Sequence, residues 1–237
     1  KNWAYRQDQL VTTHPIAGQV GDTDQTFLNF DGITYGKGAS VLKQLVAAIG
    51  MDGFREGMRH YFRTYAYGNA TLAQFLQALE QGSGRPLGEW SRLWLETPSL
   101  NTIGTRWEAD GERITSFALT QAAPADYPTL RPHTLEVGLV RDEGGALSMT
   151  VLPATIDGGE AEVAAARGLP APGLVFPNYN DHGYAKVALD PASLDFVRGS
   201  LERIDDALLR AQLWSSVWNM VRDQQLKSLD FLELVRA

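Results

Sequence analysis

The sequence predicts a multidomain chain of α and β structure, with helices first, a β-sandwich next and helices again at the end. Three observations predict it. Apolar residues recur with a period of about 3.6 through residue 99. From about residue 103 the period changes to two and turn signals multiply. At Asp190-Pro191 the helical period returns. We therefore divide the chain into residues 1–99, 100–190 and 191–237.

After an irregular start, Val41, Leu42, Leu45, Val46 and Ile49 form the apolar stripe of a first helix, which Gly50 ends as a cap. Phe54, Met58, Tyr61, Phe62 and Tyr65 mark a second helix. Its aromatic residues, with Tyr67, have the spacing of a core cluster. A third begins at Thr71, where Thr71-x-x-Gln74 has the form of a capping box, and Gly82 and Gly84 stop it. Pro86 suits the first turn of the helix that carries Trp90, Leu93, Trp94 and Leu95. Strands follow at Ile103–Trp107, Ile114–Leu119, Leu135–Leu139, Leu147–Val151, Ala161–Ala165, Leu174–Phe176 and Tyr184–Leu189. Turns at Asp110-Gly111, Gly144-Gly145 and Asp157-Gly158-Gly159 separate them, and so many short strands suit a sandwich. In the last segment Leu208, Ala211, Leu213, Trp214, Val217, Trp218 and Val221 make an almost continuous apolar surface, which must be buried.

Composition excludes several classes. The 237 residues are 44% hydrophobic and 21% charged, so disordered and low-complexity chains are out. There is no Cys, hence no disulfide framework, thiolate metal site or cysteine nucleophile, and a reducing, cytoplasmic setting fits. The net charge is −7, and residues 100–190 hold most of it with 6 basic and 12 acidic residues. No basic face is available for nucleic acid. No apolar run is long enough for a membrane helix. The chain starts at Lys1 and stops within a helical pattern, so it reads as a piece of a longer polypeptide.

Few residues invite chemistry. His14, His60, His133 and His182 show no metal-ligand spacing and read as four unrelated structural histidines. Asp22-x-Asp24, Asp142-Glu143 and Asp205-Asp206 sit where acids cap helices or turns. Gly36-Lys37-Gly38-Ala39-Ser40 lacks the spacing of a phosphate loop. Asn69-Ala70-Thr71 has the form of a glycosylation sequon, but leads into a capped helix. Ile33-Thr34-Tyr35-Gly36-Lys37-Gly38-Ala39-Ser40-Val41-Leu42 is more informative. Small residues beside Tyr35 let another backbone or a ligand approach, and a phenol there can donate to a developing oxyanion. Taken alone, the segment reads as structural.

Taken in order, these segments resemble the aminopeptidase N family of zinc metalloaminopeptidases (gluzincins), in its bacterial form. Thr13-His14-Pro15-Ile16 resembles the family's HPI turn, and Tyr35-Gly36-Lys37-Gly38-Ala39 its Y-x-K-G-A segment. Phe54-x-x-Gly57-x-x-x-Tyr61, then Asn69-Ala70-Thr71 with Phe75 and Leu79-Glu80, then Trp90, Trp94 and Thr97-Pro98 follow the same order. Phe176-Pro177-Asn178 and Gly183-Tyr184-Ala185-Lys186-Val187 resemble the last strands of its sandwich domain.

The resemblance implies more than the residues do. Residues 1–99 would be the C-terminal helical half of a thermolysin-like catalytic domain, 100–190 the sandwich and 191–237 the first helices of a C-terminal helical domain. Tyr35 would be catalytic, donating to the oxygen of the tetrahedral intermediate while zinc polarises the same carbonyl. The zinc motif H-E-x-x-H, its third ligand and the Gly-x-Met-Glu-Asn segment are not in this sequence. Zinc is therefore expected in the parent protein and none on this chain, which would be inactive alone. The partners expected are a peptide substrate and the missing N-terminal part of the same protein, with no nucleic acid and no membrane. Self-association is expected through exposed apolar faces at Val41–Ile49 and Phe54–Tyr65. The alternative is a non-catalytic sandwich-and-helix interaction scaffold. A carbohydrate-binding sandwich fits less well, because Trp90, Trp94, Trp214 and Trp218 lie on helical apolar faces.

Overall fold

The computed structural model describes residues 1–236. The chain divides into two compact units, one of Lys1 and Trp3–Ser99, the other of Asn2 and the residues from Leu100 onward. Helices and two β-sheets make up the described residues.

The first unit is helical. It contains α1 (Asn2–Gln7), α2 (Thr23–Leu28), a π-helical turn at Ile33–Lys37, α3 (Gly38–Ile49), α4 (Met51–Thr64), α5 (Leu72–Ser83) and α6 (Gly88–Leu95). The stripe of α3 is buried at Val41, Leu45 and Ile49, while Leu42 stays exposed. The capping box at the start of α5 is complete in both directions, Thr71 with Gln74. Gly84 closes α5 in a left-handed conformation at φ 67°, which suits a residue without Cβ.

Gly82 does not stop α5, contrary to the sequence expectation. It lies inside the helix, where a Cβ would fall 2.1 Å from the Gly57 amide nitrogen on α4. The pair Gly57 and Gly82 is the contact that lets the two helices cross closely. Pro86 likewise lies outside α6, two residues before its first residue, Gly88. The aromatic residues of α4 are not a core cluster. Tyr61 packs on Phe75 and Tyr65, at 5.5 and 5.6 Å between ring centroids, but Phe62 and Tyr67 are exposed. Of the apolar exposure expected on two helices, α4 shows Met51 and Phe62, while α3 buries Val41, Leu45 and Ile49 and leaves Leu42 exposed.

The second unit contains β1 (Asn101–Asp110), β2 (Arg113–Ala122), β3 (His133–Asp142), β4 (Leu147–Ile156), β5 (Glu160–Glu162), β6 (Leu174–Phe176) and β7 (Ala185–Val187). They form a four-stranded sheet in the order β5-β2-β1-β7 and a three-stranded sheet in the order β4-β3-β6. All pairings are antiparallel except β1 with β7. The expected strand at Ala161–Ala165 is shorter, and Ala164–Ala166 forms a 3-10 turn instead. Alternating residues of both sheets meet in one core, among them Ile103, Phe117, Leu119, Leu135, Val137 and Val175.

Helices α7 (Pro191–Ser200), α8 (Ala207–Arg222) and α9 (Ser228–Arg236) follow. Asp190 caps α7 through the Ala192 and Ser193 amides, with Pro191 at the first helical position. Leu209, Leu213 and Val217 of α8 share a second core with Leu174, Phe176, Val187 and Leu189. The strands β6 and β7 are therefore packed with the helices as well as with the sheets. The surface of α8 is not wholly buried as expected, since Leu208 and Trp218 are about half exposed. One face suffices to hold the helix. Among the described residues no helix is long and apolar enough to cross a membrane.

Two predictions follow from these contacts. Gly82→Ala forces α4 and α5 apart and should cost about 1–3 kcal/mol of stability, read as a lower urea midpoint. An unchanged midpoint would contradict the close crossing. Asp206 caps α8, and the amide of Leu209, then the Tyr179 hydroxyl and the amide of Leu208, hold its carboxyl below the usual range. A depressed carboxyl stabilises the fold above its unfolded pKa and ceases to do so as pH falls through the folded value. Asp206→Ala should cost about 1 kcal/mol at neutral pH. The gap between variant and parent midpoints should close as the solution is acidified below the carboxylate range.

Candidate active site

The site is built around the π-helical turn that carries Tyr35. Three residues of α1 and the residue that ends it form its floor. Ala4 is fully buried, and a Cβ on Gly36 would lie 3.0 Å from the Ala4 Cβ. Gly32 donates its amide to Gln7 Oε1 at 2.5 Å, and a Cβ there would strike that oxygen and the Trp3 ring. Gly36 thus admits another backbone, that of α1, whereas a Cβ on Gly38 would only touch Ile16 at 3.9 Å.

Beneath the turn lies a buried ion pair. Lys37 Nζ stands 3.0 Å from Asp8 Oδ2, with both side chains fully buried. Lys37 also donates to the Ser99 carbonyl at 2.8 Å. Asp8 Oδ1 accepts from Thr13 Oγ1 at 2.6 Å and from the Ser99 amide at 3.0 Å. Ser99 adopts φ 68°, an unfavourable conformation for a residue with a Cβ, and both of its backbone polar groups are engaged by the pair. The lysine in the glycine-rich stretch is therefore a structural cation, not a phosphate ligand.

The turn itself is set by Asp31. Its Oδ1 accepts from the amides of Ile33 at 2.9 Å and Thr34 at 3.0 Å, and its carbonyl accepts from the Tyr35 amide at 3.1 Å. The Thr34 hydroxyl donates to Asn29 O at 2.6 Å. The Gly38 amide reaches back five residues to Ile33 O, and the Ser40 hydroxyl donates to Gly36 O at 2.6 Å. The wide turn thus has partners for its displaced backbone groups. Such π turns are enriched at functional positions. Its product is Tyr35, half exposed, with its ring edge-on to Phe30 at 4.6 Å. Its hydroxyl makes no hydrogen bond among the described residues.

The histidines go separate ways. His14 pairs with Asp31 at 3.1 Å. His60 lies along α4 near Thr64. His133 is buried at the start of β3, and His182 pairs with Glu136 at 3.1 Å. Among the described residues no group of three or more His, Cys, Asp or Glu could hold a metal ion. Asp22 and Asp206 cap α2 and α8, as acids at helix starts do. Sequence reasoning did not single out Asp8 or Asp31. Asp31 carried a signal, since an aspartate two and three residues before a turn's first amides is an Asx cap. Asp8 carried none, because its partner lies far along the chain.

Known proteins share this arrangement of sequence. Residues 2–95 match the Peptidase family M1 domain, and residues 174–237 match the ERAP1-like C-terminal domain. The chain carries sequence of both, in that order. It is 44% identical over 244 aligned residues to an aminopeptidase N of Streptomyces lividans, covering 99% of this chain and 28% of that protein. It is also 44% identical over 89 residues to a probable aminopeptidase 2 of Sulfurisphaera tokodaii, 38% of this chain and 11% of the relative. A tricorn protease-interacting factor F2 of Thermoplasma volcanium is 37% identical over 111 residues, 47% of this chain and 14% of the relative. The chain thus spans less than a third of the length of these relatives.

Removing one member of the buried pair strands the other. Asp8→Ala or Lys37→Met should each cost about 3–5 kcal/mol. The double variant should cost less than the sum of the two, because no charge is left buried. Additive losses in a denaturation cycle would show that the two groups do not act as a pair.

Proposed function

We propose that this chain is part of a zinc-dependent aminopeptidase that removes N-terminal residues from peptides, and that Tyr35 is its catalytic contribution. The observation that carries the proposal is the display of Tyr35. A phenol with an uncommitted hydroxyl is held half exposed on a turn whose every support is buried or hydrogen bonded. A preorganised donor of this kind stabilises a carbonyl oxygen as it gains charge, and losing one such donor lowers the rate on the order of 10²–10³-fold. The role needs only that the scissile carbonyl come within hydrogen-bond reach of the hydroxyl. The metal would be held by sequence outside this chain, and the chain alone would be inactive.

The match to the Peptidase family M1 domain supports assigning residues 1–99 to the helical C-terminal part of a thermolysin-like catalytic domain. We assign residues 100–190 to a β-sandwich domain and 191–237 to the opening helices of a C-terminal helical domain. The ERAP1-like match begins earlier, at β6, and the core that β6 and β7 share with α7 and α8 accounts for it. The exposed side of α4, with Met51 and Phe62, would cover a missing part of the protein or a second copy of the chain. By its resemblance to bacterial members we place the protein in the cytoplasm.

The test is hydrolysis of aminoacyl fluorogenic substrates by the whole protein. Tyr35→Phe, which removes only the hydroxyl, should lower kcat/KM on the order of 10²–10³-fold. A whole protein that hydrolyses none of them would move the reading to a non-catalytic scaffold. An active Tyr35→Phe protein would remove Tyr35 from the mechanism.

A further inference from the structure

We propose that His14 and Asp31 are positioning residues, a paired ring and carboxylate that fix the turn presenting Tyr35. The proposal rests on the reading of Tyr35 as the donor to the reacting carbonyl. It starts from which atoms face which.

The two oxygens of Asp31 have different duties. Oδ1 holds the Ile33 and Thr34 amides, the first two of the π turn. Oδ2 meets His14 Nε2 at 3.1 Å. The other ring nitrogen, Nδ1, faces the Pro15 carbonyl at 2.9 Å. A carbonyl oxygen can only accept, so Nδ1 carries a proton. Nε2 faces a carboxylate oxygen, which also accepts. The ring is thus tied at both nitrogens, to the Pro15 carbonyl and to the Asp31 carboxylate.

His14 can serve as an anchor because its own backbone is stiff. It precedes Pro15, which restricts both residues. Two residues on, the Ala17 amide donates to the Leu95 carbonyl at 2.8 Å at the end of α6. The pair is mostly covered, with side chains 24% and 19% exposed. Through Asp31 this anchor reaches three consecutive amides, those of Ile33, Thr34 and Tyr35. Without the His14 ring, Oδ2 loses its partner and the carboxylate is free to rotate about the bond that holds Oδ1 on those amides. The phenol would then sample positions away from the one that serves the carbonyl.

The experiment is a mutant cycle in the whole protein, using aminoacyl fluorogenic substrates. His14→Ala should lower kcat about 10- to 100-fold, the cost of a misplaced group, with KM changed by less than about twofold. In a Tyr35→Phe background the same substitution should add less than about a twofold loss, since the residue it positions no longer has its hydroxyl. Asp31→Asn keeps an oxygen for the Ile33 and Thr34 amides and loses the charge facing His14, so it should repeat the pattern. It carries the test if His14→Ala does not fold, as judged by its melting curve. An unchanged kcat in both variants, or an equal loss with and without the Tyr35 hydroxyl, would overturn the pairing alone. A Tyr35→Phe protein as active as its parent would overturn the role of Tyr35 and this proposal with it.

Discussion

The first unit depends on one contact, the ion pair between Lys37 and Asp8. Two charges with no exposure to water are costly to bury, and their mutual attraction offsets that cost only when the remaining donors and acceptors are also engaged. Here they are, by Thr13 and by both backbone groups of Ser99. The pair therefore joins three stretches that are distant in sequence. These are the end of α1, the π-helical turn and the segment that leaves α6. Hydrophobic packing alone would bring these stretches together without fixing their register. Directional bonds to one buried cation fix it.

The strained features of the unit sit on this network. Ser99 at φ 68° and a five-residue π turn are each unfavourable locally. Both persist because their backbone groups have partners that a relaxed conformation would lose. The effect on Tyr35 is specific. An α-helical turn in its place would change the direction in which the side chain points. The wide turn keeps glycine and lysine inward and tyrosine outward.

Much of the secondary structure was legible. The capping box at Thr71, the Asp190-Pro191 start and the change of period near residue 103 are local signals, and local signals survive folding. The misreadings share a cause. Gly82 looked like a stop because glycine disfavours helix, yet tertiary contact with Gly57 outweighs that propensity. The aromatic residues of α4 looked like core because spacing shows a face, not what covers it. Gly36, beside Tyr35, correctly signalled a close approach. What approaches is α1, which no spacing within that segment could identify. Asp31 carried a local signal toward the amides it caps, whereas Lys37 and Ser99, which Asp8 binds, lie far along the chain.

Support and exposure are divided within the site. Every group that fixes the turn has a committed partner. Asp8 and Lys37 have each other, Asp31 has His14 and two amides, and Gln7 has Gly32. Tyr35 alone keeps its polar atom uncommitted. If Tyr35 donates to the reacting carbonyl as proposed, this rigid shell completes the reorganisation during folding and leaves none for the reaction.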